Sequence, residues 1–226
     1  MSKICYAVGG LPLFEYEGDI RNSVDRFIQA WELSPYDEDG NYIEPHFAFD
    51  LPNSNLQGII AVNFDLHGSN FEGSDLYKGC FRESNLENVN FRNASLRGAS
   101  LHGANLRNAN FDGADIGIPN MGYGANLSDA DLTGAVFNNT VLVGVVYNSK
   151  TIFPANFDIP SWMVRYDGSE RDEKYSALLG NCVHKYWCSF SKSEQQSIIT
   201  NGYPYDVAVQ QRFADILYSD FYNNQK

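Results

Sequence analysis

From Asn90 to Asp115 the chain reads NFRNASLRGASLHGANLRNANFDGAD, with a large apolar residue at every fifth position: Phe91, Leu96, Leu101, Leu106 and Phe111. A helix repeats its apolar residues at 3.6 and a strand at 2, so a period of five fits neither. The centres run in both directions, from Leu51, Leu56, Ala61, Leu66, Phe71, Leu76, Phe81 and Leu86 up to Ile116. Two positions before each centre lies a second, mostly small column, including Ser69, Ser74, Ser84, Ala94, Ala99, Ala104 and Ala109. The residue between is usually Asn, Asp or Ser. Residues two apart on an extended segment point to the same side, and the other positions are polar or glycine. A short extended piece followed by a turn, repeated, makes a coil with its core along the axis. Stacked coils would pair their backbones at about 4.8 Å.

The units "ANLRN", "ANFDG", "SDLYK", "SNLEN", "ANLSD" and "ADLTG" closely resemble the pentapeptide-repeat family, whose motif is A(D/N)LXX. The resemblance covers about residues 51–159. It implies a mainly β fold: a right-handed quadrilateral parallel β-helix, with four units per coil. The period alone does not fix the four sides. With them, columns repeat every 20 residues, so Phe71, Phe91 and Phe111 stack inside one side and Leu66, Leu86 and Leu106 inside another. Outside, Asn70, Asn90 and Asn110 form an amide ladder, as do Asn85 and Asn105. Glu72, Arg92 and Asp112 form one charge column, and His67, Glu87 and Arg107 a second. Exposed pairs of this kind contribute only some tenths of a kcal/mol, so stability is expected to come from the buried ladders. The run makes about five coils, or about 26 Å of prism.

The pattern slips once. After Ile116 the next clear centre is Leu127, eleven residues on rather than ten. The intervening "GIPNMGYGA" reads as one inserted residue in a bulge or short corner loop. Leu132, Phe137, Leu142 and Tyr147 follow in the new frame, the motif decays through Ile152 and Phe157, and Pro154 and Pro160 end the run.

A solenoid exposes unpaired backbone at both ends and so requires caps. Residues 1–50 are expected to form an N-terminal α/β cap. It has a strand in "KICYAV" and an amphipathic helix in "DIRNSVDRFIQAW", with Ile20, Val24, Phe27, Ile28 and Trp31 on one face. Residues 160–226 read as a C-terminal α-helical module. Ser169 and Asp172 make a capping box for a first helix carrying Tyr175, Leu178, Leu179, Cys182, Tyr186 and Phe190. A second helix spans Ser193 to Thr200, and a third starts near Asp206 with Val209, Phe213, Ile216 and Leu217 on one face. This segment reads as a small helical module, a dimer interface, or both. Its supply of aromatics (Tyr186, Trp187, Phe190, Phe213, Tyr218, Phe221, Tyr222) favours an interface.

The chain carries few residue patterns that suggest chemistry. In "CVHKYWC", Cys182, His184 and Cys188 lack a fourth zinc ligand, so both cysteines are expected in the core with His184 at the surface. "AVGG" has no phosphate-loop lysine, and the regular Asp and Asn positions are explained by the repeat. The reading is a non-enzyme with no cofactor and no metal. Four scattered cysteines and a poor signal-peptide pattern point to a cytoplasmic protein, and no run is long enough for a membrane span.

The net charge of −12 disfavours direct nucleic-acid binding. Residues 1–50 carry ten acids and three bases, whereas 51–159 carry ten and six. Well-known members of the resembling family protect or inhibit DNA gyrase and have been read as mimics of duplex shape and charge. The resemblance therefore implies a protein-binding inhibitor or modulator of a DNA-handling enzyme, working as a homodimer through its C-terminal helices. Two features weigh against it: a prism of only −4, with Arg82, Arg92, Arg97 and Arg107 exposed on it, and the missing long loops of some gyrase-binding members. The alternatives are a rigid scaffold whose helical module recognises an unrelated protein, or a small counter-defence effector. Candidate contacts are the acidic stretch Asp37, Glu38 and Asp39 and the prism carboxylates Asp65, Asp75, Asp115 and Asp131.

Overall fold

The computed structural model describes residues 2–5, 12–16, 48–119, 124–168, 173–201 and 206–222. Parallel bridges join residues 20 apart: Asp50 with Asn70, Asn55 with Asp75, Ile60 with Cys80 and Asp65 with Asn85, and so on up the stack. Twenty residues are four units of five, so each coil has four walls, named here by their first bridge residues. The Asp50 wall continues through Asn70, Asn90, Asn110 and Val136, and the Asn55 wall through Asp75, Ser95, Asp115 and Val141. The Ile60 wall continues through Cys80, Ser100, Asn126 and Val146, and the Asp65 wall through Asn85, Asn105, Asp131 and Ile152.

Except at the insertion, each unit centred from Leu51 to Leu142 turns at the residue two after its centre, where φ lies between 53° (Asn139) and 76° (Gly134). Such a turn has positive φ only at its third residue, which favours Gly or Asn. Glycine or asparagine occupies the position nearly throughout, and Lys78, Glu83 and Asp129 are the exceptions. The centre then points inward. The rings of Phe71, Phe91, Phe111, Phe137 and Phe157 stack in one column, with successive centroids 5.6, 5.3, 5.2 and 5.0 Å apart. Leu66, Leu86 and Leu106 are likewise buried.

The small column is also inside, and its hydroxyls are satisfied. Ser74 Oγ accepts from Ser54 N at 3.0 Å and donates to Leu51 O at 2.5 Å. Ser84 Oγ does the same for Phe64 N and Ala61 O, at 3.1 and 2.5 Å. A buried serine here stitches two coils and leaves no orphaned polar group.

The slip is larger than the sequence reading. Ser95 pairs with Asp115, but the next bridge pairs Ser100 with Asn126. The chain thus passes from Asp115 to Asn126 in one step round the coil, not two. The insertion is six residues long, since bridge spacing rises from 20 to 26. A corner loop can absorb any number of residues while the backbone re-enters the ladder in register, so the period could not reveal its length. Ile118, from this insertion, is buried and its N–H donates to Val143 O.

At the N-terminal end, β1 (Ser2–Cys5) pairs antiparallel with both β2 (Pro12–Tyr16) and β3 (Phe49–Asp50). The antiparallel strand stops the parallel ladder from continuing. The helix expected over residues 19–31 lies outside the described residues. At the other end the winding outlasts the five-residue pattern, because β4 (Val146–Tyr147) pairs in parallel with β5 (Val164–Arg165).

Three helices follow: α1 (Glu173–Cys188), α2 (Lys192–Asn201) and α3 (Val207–Ile216), the last running into a π turn over Leu217–Tyr222. Ser191 and Glu194 form the capping box of α2, and Asp206 caps α3 through Ala208 N and Val209 N at 2.7 and 3.2 Å. The helices pack on the prism. Leu179, Cys182, Tyr186, Phe213 and Leu217 share one core with Ile118, Val141, Val143, Val146 and Val164. Three of the seven aromatics that favoured an interface are used here, since Tyr186, Phe190 and Phe213 are buried. Gln210, 1% exposed, accepts from Leu142 N at 3.1 Å through Oε1, meeting a ladder donor at the top of the prism. Among the described residues, no helix is long and apolar enough to cross a membrane.

Candidate partner-binding surface

The outward bridge positions carry most of the prism's polar chemistry. An asparagine within a ladder there has two jobs. Its Oδ1 accepts from the N–H two residues on, as from Glu72 to Asn70 and from Arg92 to Asn90, both at 3.1 Å. Its Nδ2 donates back to the coil below: Asn90 to Asn70 at 3.0 Å, Asn105 to Asn85 at 2.9 Å. The first member of such a ladder need only accept, and there the chain has Asp50 and Asp65. Asp50 receives Asn70 Nδ2 and Asp65 receives Asn85 Nδ2, both at 2.9 Å.

The sequence-derived contact residues are dispersed by this geometry. Asp37, Glu38 and Asp39 lie outside the described residues. Asp65 and Asp131 stand on the Asp65 wall, whereas Asp75 and Asp115 stand on the Asn55 wall. Those walls are two steps apart round a four-step coil and face opposite ways. Each of the four also holds its own turn, accepting from His67 N, Tyr77 N, Gly117 N and Thr133 N in turn. Asp65 further contacts His67 Nδ1 at 2.9 Å, and Asp75 accepts from Gln57 Nε2. Asp115 pairs with Arg97 at 3.8 Å and Asp131 with Arg107 at 3.2 Å. Burial pushes the Asp131 carboxyl up, but the Thr133 hydroxyl and N–H and the Arg107 guanidinium outweigh it and hold the group below its ordinary value.

Counted by wall, the charge is polarised. Up to Ile152, the neighbouring Asp65 and Asp50 walls carry six acids (Asp50, Asp65, Glu72, Glu87, Asp112, Asp131) and two bases (Arg92, Arg107), a net of −4. The Asn55 and Ile60 walls carry four acids (Asp75, Glu83, Asp115, Asp129) and four bases (Lys78, Arg82, Arg97, Lys150), a net of zero. Sequence reading missed this, because the sign of a wall emerges only when units 20 apart are summed. The four arginines expected at the surface are not equal. Arg97 has a side chain only 15% exposed, with its guanidinium 5.8 Å from the Tyr77 ring centre.

The cysteines also divide. Cys182 is buried, as expected, and burial with the nearby Asp220 carboxylate pushes its thiol up to about 11. Cys188 is exposed, not in the core, with Sγ 3.6 Å from His184 Nε2. Residues six apart on a helix fall on different faces, which is why only one reaches the core.

The sequence pattern described as pentapeptide repeats matches this chain in eight copies, over residues 50–88, 84–116 and 123–146. A pentapeptide repeat protein, Rfr23, from the cyanobacterium Cyanothece 51142 is 32% identical, over 51% of this chain and 69% of its own, with a TM-score of 0.31. The chain belongs to the pentapeptide-repeat family. A pentapeptide-repeat protein of the Arabidopsis thaliana thylakoid lumen is 26% identical, over 57% of this chain and 73% of its own, with a TM-score of 0.27. QnrB1, a plasmid-mediated fluoroquinolone resistance protein, is 18% identical, over 48% of this chain and 61% of its own, with a TM-score of 0.27. No curated protein matches the chain.

Proposed function

We propose that this pentapeptide-repeat protein is a non-catalytic protein-binding module whose partner is a DNA-handling enzyme such as DNA gyrase. The observation that carries the reading is a rigid prism whose polar columns are fixed in ladders and whose net acidity sits on two neighbouring walls. Rigid walls bind with little loss of conformational freedom, and a field of one sign selects a basic partner. Under this reading residues 1–50 cap a right-handed, four-sided helix over 51–159, residues 160–226 form the helical module, and the protein acts in the cytoplasm. Asp65 and Asp131 lie on the acidic side, and Asp37, Glu38 and Asp39 are the further contacts proposed from the sequence. Gyrase supercoiling with added protein at several salt concentrations tests this. Inhibition that weakens with salt is expected, and no effect at about micromolar protein, a range typical of weak specific complexes, overturns it.

A second reading makes the prism a scaffold and the helices the recognition element. Tyr218, 70% exposed, together with exposed Val207 and Ile199, favours it. The same side chains would serve a homodimer through the C-terminal helices, which light scattering detects. Deleting the module would also strip the cover from Val141 and Val146, so Tyr218→Ala with Val207→Ser is the cleaner test. Partner capture that survives this pair removes the scaffold reading. A counter-defence effector is a third use of a compact acidic chain.

A further inference from the structure

The coil from Val136 to Ile152 breaks a rule that the coils below it keep. Outward bridge positions there are mainly Asn, Asp or Ser, but in this coil they are Val136, Val141, Val146 and Ile152. These four make a ring of β-branched side chains round the prism, one on each wall. The protein's own helices cover half of it: Val141 and Val146 are 4% and 8% exposed, in one core with Leu179 and Phe213. The other half is bare, with Val136 38% and Ile152 52% exposed on neighbouring walls. Those are the walls with the net charge of −4, whereas the covered half lies on the neutral pair.

We propose that the bare half-ring is the seat for an amphipathic helix of a partner protein, its apolar face on Val136 and Ile152 and its Lys/Arg flank over the acidic walls. The seat is continuous with one that already accepts helices, and both halves present β-branched side chains from the same turn of the coil. The sign of the flank follows from charge complementarity, which selects partners and suppresses like-charged ones. A second copy fits poorly, because each copy carries a net charge of −12. The proposal rests on the protein-binding reading but holds whether or not the partner handles DNA.

The test uses the full chain and a fluorescent synthetic helix of about 18 residues, five turns, with leucine on one face and lysine on the other. A leucine/glutamate helix of equal length is the control. The variant is Val136→Asn with Ile152→Asn, because Asn110 lies directly below Val136 and Asp131 directly below Ile152, and each offers a side-chain oxygen to accept from the new amide. Ile152→Asn alone serves if the pair does not fold. The leucine/lysine probe is expected to bind the parent and to lose at least about tenfold in affinity to the variant. Exposed Ile60→Asn, at the far end of a neutral wall, should leave binding unchanged. Undiminished binding to the variant overturns the proposal, as does equal binding of the glutamate probe. A parent dimer that the variant dissociates assigns the seat to a second copy and overturns it too. Gyrase supercoiling does not depend on the probe, so the two proposals fail separately.

Discussion

The residue two after each centre is where local chemistry is most constrained. Gly58 has φ +67°, and a Cβ placed there meets nothing within 4 Å, so Gly58→Ala isolates backbone strain. It is expected to lower stability by about 1 kcal/mol in urea unfolding. Lys78, at φ 54°, holds the same position with a side chain ill suited to it, so Lys78→Gly is expected to raise stability by some tenths of a kcal/mol. Asp131 makes a pH prediction. Its folded carboxyl titrates below the ordinary value, so its contribution is complete above the unfolded pKa and is lost as pH falls through the folded one. Asp131→Asn should therefore be less stable than the parent at neutral pH, with the gap closing below about pH 4. These roles were half legible in the sequence. The Gly/Asn position could be read as a turn, but the pairing of His67 with Asp65 could not, because neither residue departs from the motif.

Among elements, the phenylalanine column and the helical module answer to different tests. Phe91 stacks between Phe71 and Phe111 and meets Phe81 at 6.4 Å, so Phe91→Ala opens a cavity in mid-stack. A loss of about 3–5 kcal/mol in chemical denaturation is expected. Gln210 acts at the end of the ladder. Gln210→Ala leaves Leu142 N–H buried without its acceptor and should cost about 1–3 kcal/mol, with faster amide exchange at Leu142. The column was predictable because five-residue spacing and four walls together fix which rings meet. The module's docking site was not. Its signal was the change from polar residues to Val136, Val141, Val146 and Ile152, which looks like simple decay of the motif. The insertion likewise looked like a bulge, yet it supplies Ile118 to the seat of the helices.

At the level of the whole molecule, prism and helices share a core and should unfold together. Heating is expected to remove helical and strand circular dichroism at one midpoint. Gly144→Ala separates them, because a Cβ at that position is driven into Ile118 and the Phe213 ring. The five-residue period made a coil with an axial core legible from the chain alone, whereas its four sides came from the resemblance to the pentapeptide-repeat family. Charge polarity was not legible, since local stretches mix signs and only the winding sorts them.

Above Asp50 and below the insertion, each coil repeats the same pairing at an offset of 20 residues. The molecule therefore has a natural unit of growth. Excising or duplicating one such block would shorten or lengthen its reach by about 4.8 Å, leaving both termini and every surviving contact in register. A relative could tune its span to a larger or smaller target by copying a stretch of gene, with no new side chain to invent.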